Sequence, residues 1–283
     1  MFDEFYRLSG SPFRLSPDPR FFFGSRSHTK AMAYLHYGLQ QREGFIAITG
    51  RVGTGKSMLI SHLLSRLDLR RVVAANITTS QVEPEDMLQL IAAAFNVLPA
   101  ARDKATLIRA LEAFLLQQHG IGRHVLAVID EAQNLPLRTI EEIRMLSNLV
   151  RDGQSLLQIF LVGQPQFSAL LANPALEQLR QRVIASYSLE PLSSAETRHY
   201  IEHRLGLVGW SDDPSISESA FCRIFEETGG LPRRINTVCS RLFLLGALDQ
   251  RHHLGDEEVD VVIDDLHGEM SEMVAGPAPI PQN

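Results

Sequence analysis

The segment Gly50-Arg51-Val52-Gly53-Thr54-Gly55-Lys56-Ser57 constrains this 283-residue chain more than any other part of it. It has phosphate-loop spacing and lies between the apolar run Phe45 to Thr49 and a segment whose Leu59, Leu63 and Leu67 share a helical face. Strand, glycine-rich loop and helix in that order call for a parallel sheet with the loop at its carboxyl edge. Glycines let the backbone curl so that successive N–H groups and the helix N-terminus face an anion. Lys56 can then reach the outer phosphates of a nucleotide. Gly50, Val52, Gly53, Thr54, Gly55, Lys56, Ser57 and Met58 are therefore assigned to nucleotide binding, with the Ser57 hydroxyl as a magnesium ligand.

Further apolar runs follow at Val72 to Ile77, Val125 to Asp130 and Leu156 to Val162, then the alternating Val183, Ala185, Tyr187 and Leu189. Helical faces stand between them at Met87, Ile91 and Phe95 and at Leu107, Leu111 and Leu115. A helix after Ser27, with Met32, Leu35 and Leu39, is expected to end near Glu43-Gly44. Strands alternating with helices predict a parallel α/β domain over residues 25–191. Residues 1–24, rich in Phe and Pro, read as an ordered arm that packs on something. Beyond Pro191 no further strand is expected, and residues 192–268 read as an all-helical lid. Its signals are the capping boxes Ser193-x-x-Glu196 and Ser215-x-x-Glu218, the stop Gly229-Gly230, Pro232 opening the next helix and Asp256 as a cap. Its apolar stripe is Ile235, Val238, Leu242 and Leu245. Residues 269–283 are expected to be a disordered tail.

Two carboxylates, Asp130 and Glu131, end the run Val125 to Ile129, where parallel sheets bind ligands. Asp130 is expected to hold magnesium and Glu131 to orient the attacking water, because phosphoryl transfer depends on positioning and charge stabilisation. Gln164, at the end of another strand, is placed to sense the γ-phosphate. Arg180 and Arg182 are candidates for an arginine finger on nucleotide held by a neighbouring subunit, with surface ion pairing as the competing use. In Gly230-Leu231-Pro232-Arg233-Arg234, a proline-started helix presents Arg233 from the lid toward the phosphates.

The formal net charge of -6 does not advertise nucleic acid or an anionic membrane as partner. Arg66, Arg70 and Arg71, and Arg138, Arg144 and Arg151, are interleaved with Asp68, Glu141 and Glu142 and read as solvated helix faces. The two cysteines, Cys222 and Cys239, have no metal-ligand spacing and read as buried reduced thiols. No membrane span or signal peptide is expected, and the predicted location is cytoplasmic, at most peripheral to the inner membrane.

With these motifs the chain resembles AAA+ ATPases of the bacterial secretion-associated group. In particular it is similar to the exosortase/PEP-CTERM system-associated ATPases, relatives of general-secretion-pathway protein A and of an MSHA pilus biogenesis ATPase. The resemblance runs from Met1 to about His267 through Pro17-Asp18-Pro19-Arg20-Phe21-Phe22-Phe23, Asp130-Glu131-Ala132-Gln133-Asn134-Leu135, Leu146-Ser147-Asn148, Gly163-Gln164-Pro165, Leu179-Arg180-Gln181-Arg182 and Arg233-Arg234-Ile235-Asn236. It implies an AAA+ P-loop core with a five-stranded parallel sheet and a helical lid, ATP and Mg2+ as ligands, and ATP hydrolysis. It also implies Gln164 as sensor 1, Arg182 as finger, Arg233 as sensor 2, and a nucleotide-dependent ring or filament of identical subunits. Arg51 departs from the acidic residue usual in the family and adds positive charge beside the phosphates. Relatives of the general-secretion-pathway type continue into a membrane span and a peptidoglycan-binding region; neither is expected here. The implied role is service to exopolysaccharide export or protein sorting with an envelope-machinery partner. The alternatives are a nucleotide-switched DNA-binding assembly factor and a scaffold that binds ATP but scarcely hydrolyses it. Partner docking is expected on the aromatic arm or an exposed lid face.

Overall fold

The computed structural model describes residues 2–78, 82–99, 101 and 103–275, with side chains to residue 269. The chain divides into two compact units, residues 26–190 and residues 1–25 with 191–283.

In the unit of residues 26–190, β1 (Phe45–Gly50), β2 (Val72–Thr78), β3 (His124–Asp130), β4 (Leu157–Gly163) and β5 (Val183–Leu189) form one sheet in the order 2-3-4-1-5. Every pairing in it is parallel. The three inner strands, β1, β3 and β4, are buried along their whole length and so read as continuous apolar runs. The edge strands β2 and β5 are only partly covered, which is why Val183, Ala185, Tyr187 and Leu189 alternate with more polar neighbours. Phe45, Ile46, Ile48 and Phe160 have no exposed surface, each contributing about 1.5–3 kcal/mol through burial.

The longer helices of this unit are α1 (Arg26–Gln41), α2 (Lys56–Ser65), α3 (Pro84–Ala94), α4 (Lys104–Gly120), α5 (Leu137–Leu146) and α6 (Pro165–Leu171). Proline fits the first turn of α3 and α6, where its missing N–H is no loss. Asp103 starts α4 by accepting from the Thr106 N–H. The buried face of α1 is centred on Ala31, Leu35 and Gly38, slightly rotated from the predicted Met32, Leu35 and Leu39. Gly38 explains the rotation: a Cβ there would lie 2.5 Å from the Ile46 side chain, so the helix approaches β1 more closely than a larger residue permits.

The second unit contains α7 (Ser194–Gly206), α8 (Glu218–Thr228), α9 (Pro232–Leu248) and α10 (Asp256–Ala275). The capping box of Ser193 and Glu196 is formed. That of Ser215 and Glu218 is not: Ser217 caps α8 by accepting from the Ala220 N–H, and Ser215 belongs to a short parallel pairing with His253. This pairing, Ser215–Ile216 with His253–Leu254, also corrects the expectation of no further strand. It is too short to leave a periodic signature. Gly229 ends α8 with φ 58°, and Asp256 is the first residue of α10, its carboxylate accepting from the Ser219 hydroxyl. That helix continues through 269–275, inside the expected tail; residues 276–283, where disorder was expected, lie outside the described residues.

The amino-terminal residues pack on these helices. Tyr6, Leu8, Phe13 and Phe21 are buried with Tyr200, Ile201, Phe243 and Leu254 in one core. Tyr6 and Phe13 each meet the Phe243 ring edge-on at 5.5 Å. At the centre is Arg204, only 2% exposed. It donates to the Pro12 carbonyl, to the Tyr200 hydroxyl at 2.9 Å and to the Arg14 carbonyl at 3.4 Å, and lies 4.7 Å from the Phe21 ring centroid. These arm anchors are therefore spent inside the unit and are not open for docking a partner. Cys239 is buried as expected, but Cys222 is exposed. It sits about 200° around α8 from Ala220 and from Ile224, the residues that define the buried face.

Candidate functional site

The phosphate loop lies at the carboxyl edge of the sheet, between β1 and α2. Gly55, with φ 96°, turns the chain into α2. Lys56 is 7% exposed, and its Nζ donates to the carbonyls of Gly50 at 2.8 Å and Arg51 at 3.1 Å. Burial lowers the pKa of this ammonium, while the charges of Glu131 and Asp130 act in the opposite direction. Ser57 donates to Asp130 Oδ2 at 3.3 Å, joining the start of α2 to the end of β3. Burial pushes the Asp130 carboxyl up, partly offset by the Glu131 N–H, which donates to Oδ1 at 2.9 Å. Val52 and Arg51 are exposed on the loop and Met58 is half-buried.

β4 lies between β1 and β3, so Gln164, directly after it, stands between the loop and the acidic pair. Its Nε2 donates to Glu131 Oε2 at 3.2 Å. Gln133 donates to the same oxygen, and its own Oε1 accepts the Gln164 N–H at 2.9 Å. Two amides thus hold one carboxylate. Gln133 had no assigned role in the sequence, since only the turn after β3 folds it back onto Glu131. His28 was likewise unassigned; it is buried at the N-terminal turn of α1 with Nε2 3.0 Å from the Thr54 carbonyl oxygen.

Two of the candidate arginines, Arg180 and Arg182, lie apart from this cluster. Arg182 precedes β5, its carbonyl accepting the N–H of Phe45 at the amino end of β1. The carboxyl edge is the length of β1 away, on the order of 20 Å at about 3.3 Å per residue. Its guanidinium is exposed and donates to the Ser147 hydroxyl at 3.2 Å. Arg180 is ion-paired with Glu177. Arg233 is exposed in the first turn of α9, in the helical unit. Of the basic residues read as solvated faces, Arg144 is instead 8% exposed and pairs with Glu141, because it falls on the buried side of α5. Arg71 lies 3.7 Å from Asp68, and Arg138 lies 3.4 Å from Glu83. Among the described residues no helix is long and apolar enough to cross a membrane.

Residues 39–171 match the family model described as AAA domain. The chain is 34% identical over 270 residues to General secretion pathway protein A of Aeromonas hydrophila, an alignment covering 95% of this chain and 49% of that protein. It thus spans about half the length of that relative. Among solved structures, the Aeropyrum pernix ORC2 protein, in its ADPNP-ADP complexes, matches with TM-score 0.66 and 18% identity over 89% of this chain and 71% of that one. Cdc6p from Pyrobaculum aerophilum matches with TM-score 0.67 and 17% identity over 90% and 70%. The Thermotoga maritima RuvB Holliday junction branch migration motor matches with TM-score 0.57 and 18% identity over 87% and 70%. At these identities the structural matches establish the fold. The chain has the AAA P-loop NTPase fold, carries a match to the AAA domain over residues 39–171, and is similar to General secretion pathway protein A.

Proposed function

We propose that this protein is an ATPase that binds ATP with magnesium at the carboxyl edge of the sheet and hydrolyses it to ADP and phosphate. The observation that carries the reading is the Ser57–Asp130 contact of 3.3 Å beside the buried Lys56. A hydroxyl and a carboxylate form a hard-oxygen pair suited to magnesium, which takes one or two protein oxygens and completes its shell with water and substrate phosphates. Among the described residues no cluster of three acidic, His or Cys ligands competes for that role. Bound there, the ion would neutralise charge on the β- and γ-phosphates.

Lys56 turns from the Gly50 and Arg51 carbonyls to the phosphates when nucleotide enters, exchanging neutral acceptors for charged ones. Glu131 orients the attacking water, and Gln164, already on its carboxylate, relates that water to the γ-phosphate. Gly50, Val52, Gly53, Thr54, Gly55 and Met58 supply the rest of the loop and its helix start. Arg182 cannot serve the site of its own subunit from the amino edge, which supports its use in trans in a ring or filament of identical subunits. Arg233, exposed in the first turn of α9, is the candidate for sensor 2.

The similarity to General secretion pathway protein A supports a role in secretion; its placement beside the envelope machinery at the cytoplasmic face of the inner membrane, and exopolysaccharide export of the exosortase/PEP-CTERM type, rest on the sequence resemblance. A nucleic-acid ligand gains no support from Arg71, Arg138 and Arg144, whose charges are matched by acids. The test is phosphate release with Mg-ATP. Lys56→Ala is expected to lose nucleotide affinity by about 10²-fold or more, and wild-type turnover in that variant would sink the site assignment. Glu131→Gln protein held with ATP is expected to capture an envelope protein from the native host. Submicromolar, steeply salt-dependent DNA binding by that variant at physiological salt would instead favour the DNA-assembly reading.

A further inference from the structure

α1 places His28 against the phosphate loop. His28 Nε2 lies 3.0 Å from the Thr54 carbonyl oxygen, and the ring is buried. A carbonyl oxygen only accepts hydrogen bonds, so Nε2 carries the proton in this contact. The peptide that begins with that carbonyl ends with the N–H of Gly55. In a planar trans peptide the two point in opposite directions, so holding the carbonyl aims the N–H. Donation to the carbonyl also polarises the peptide and strengthens its N–H as a donor.

Three observations make this contact a built one. Gly55 has φ 96°, and a Cβ there would meet His28 Nε2 at 2.8 Å, so ring and glycine are fitted to each other. The preceding residue, Ser27, accepts the Glu190 N–H at 3.0 Å and lies 3.3 Å from the Tyr187 hydroxyl, which ties the start of α1 to the end of β5. Farther along, Gly38 seats the same helix on Ile46 of β1. The helix that carries the histidine is therefore anchored on both sides of it.

We infer that His28 is a positioning residue for the nucleotide phosphates, fixing the Thr54–Gly55 peptide so that the Gly55 N–H is presented to the anion. The inference rests on the nucleotide reading above. Its effect falls on ground-state binding, because the aimed N–H serves ADP and ATP alike, so a loss raises KM and leaves kcat nearly unchanged.

The experiment compares His28→Phe, which keeps a ring and loses the donor, with His28→Gln, whose amide can still donate. Fluorescent ADP binding, its displacement by inorganic pyrophosphate, and steady-state ATP turnover are measured on the full chain. His28→Phe is expected to weaken ADP and pyrophosphate by the same factor, about fivefold for one lost hydrogen bond, and His28→Gln to recover most of it. If His28→Phe fails to fold, His28→Asn, whose amide is too short to reach Thr54, takes its place. Wild-type affinity in the donor-free variant overturns the inference. So does a Gln variant as weak as the Phe one, which would mark the histidine as packing, or an ADP loss that pyrophosphate does not share. A wild-type protein that binds no ADP would instead overturn the nucleotide reading, and this inference with it.

Discussion

The α/β unit and the helical unit both bury polar groups, but they use them differently. In the α/β unit Thr54, Lys56 and Asp130 are gathered at one edge of the sheet, beside the mostly apolar inner strands. Lys56 is satisfied by main-chain carbonyls that a stronger acceptor can displace, and its lowered pKa records the strain of charge kept out of water. In the helical unit Arg204 is buried among aromatic rings and holds the carbonyls of Pro12 and Arg14. At the sheet edge the buried charge is exchangeable for a ligand, whereas Arg204 uses its charge to fasten its own chain. Buried polarity marks a site only where the partner can be replaced.

That contrast can be broken by experiment. The largest expected effect, on the proposed trans assignment, is that of Arg182→Ala, which should lower turnover about 10³-fold without weakening ADP binding. Mixing it with Lys56→Ala subunits should restore activity, and turnover per wild-type subunit should rise with protein concentration. No rescue in co-assembled mixtures would remove the trans assignment. Next, Glu131→Gln should reduce kcat about 10²-fold while fluorescent ATP binding persists; turnover at the wild-type rate would show that this carboxylate does not direct water. In the helical unit the effect should fall on stability. Arg204→Met leaves the Pro12 carbonyl and the Tyr200 hydroxyl without their donor and should cost about 2 kcal/mol in urea unfolding, with faster tryptic cleavage at Arg14. An unchanged midpoint would mean the arm is held by its aromatics alone. The smallest change is Ser193→Ala, which removes one half of a capping box and should cost about 1 kcal/mol by the same measurement, with phosphate release unaffected.

The strands could be read from the chain because buried parallel strands are mostly apolar: four apolar runs fall on β1 to β4 and the alternating segment on the edge strand β5. The loop and the acidic pair could be read because their chemistry requires adjacent residues. α6 has only Phe167 and Leu171 as a thin apolar face and leaves little periodic signal, and α5 is legible through its charged residues, its apolar Ile140, Ile143 and Leu146 being too few to stand out. The seat of the arm was hidden for a different reason: Pro12 and Arg204 are 192 positions apart, and nothing local in either announces the other. The same holds for His28 and Thr54, 26 positions apart, whose contact exists only once α1 is laid on β1. Ser217 displaced Ser215 as the cap because a two-residue strand pairing claimed the earlier serine.

Glu131 has φ 58° and ψ 36°, a left-handed conformation in which glycine and asparagine rest more easily than glutamate. Selection for folding alone would therefore drift this position toward those residues. A chain released from its task would gain stability by the same substitution that silenced it, so stabilised variants sought by screening on melting temperature should accumulate changes at residue 131.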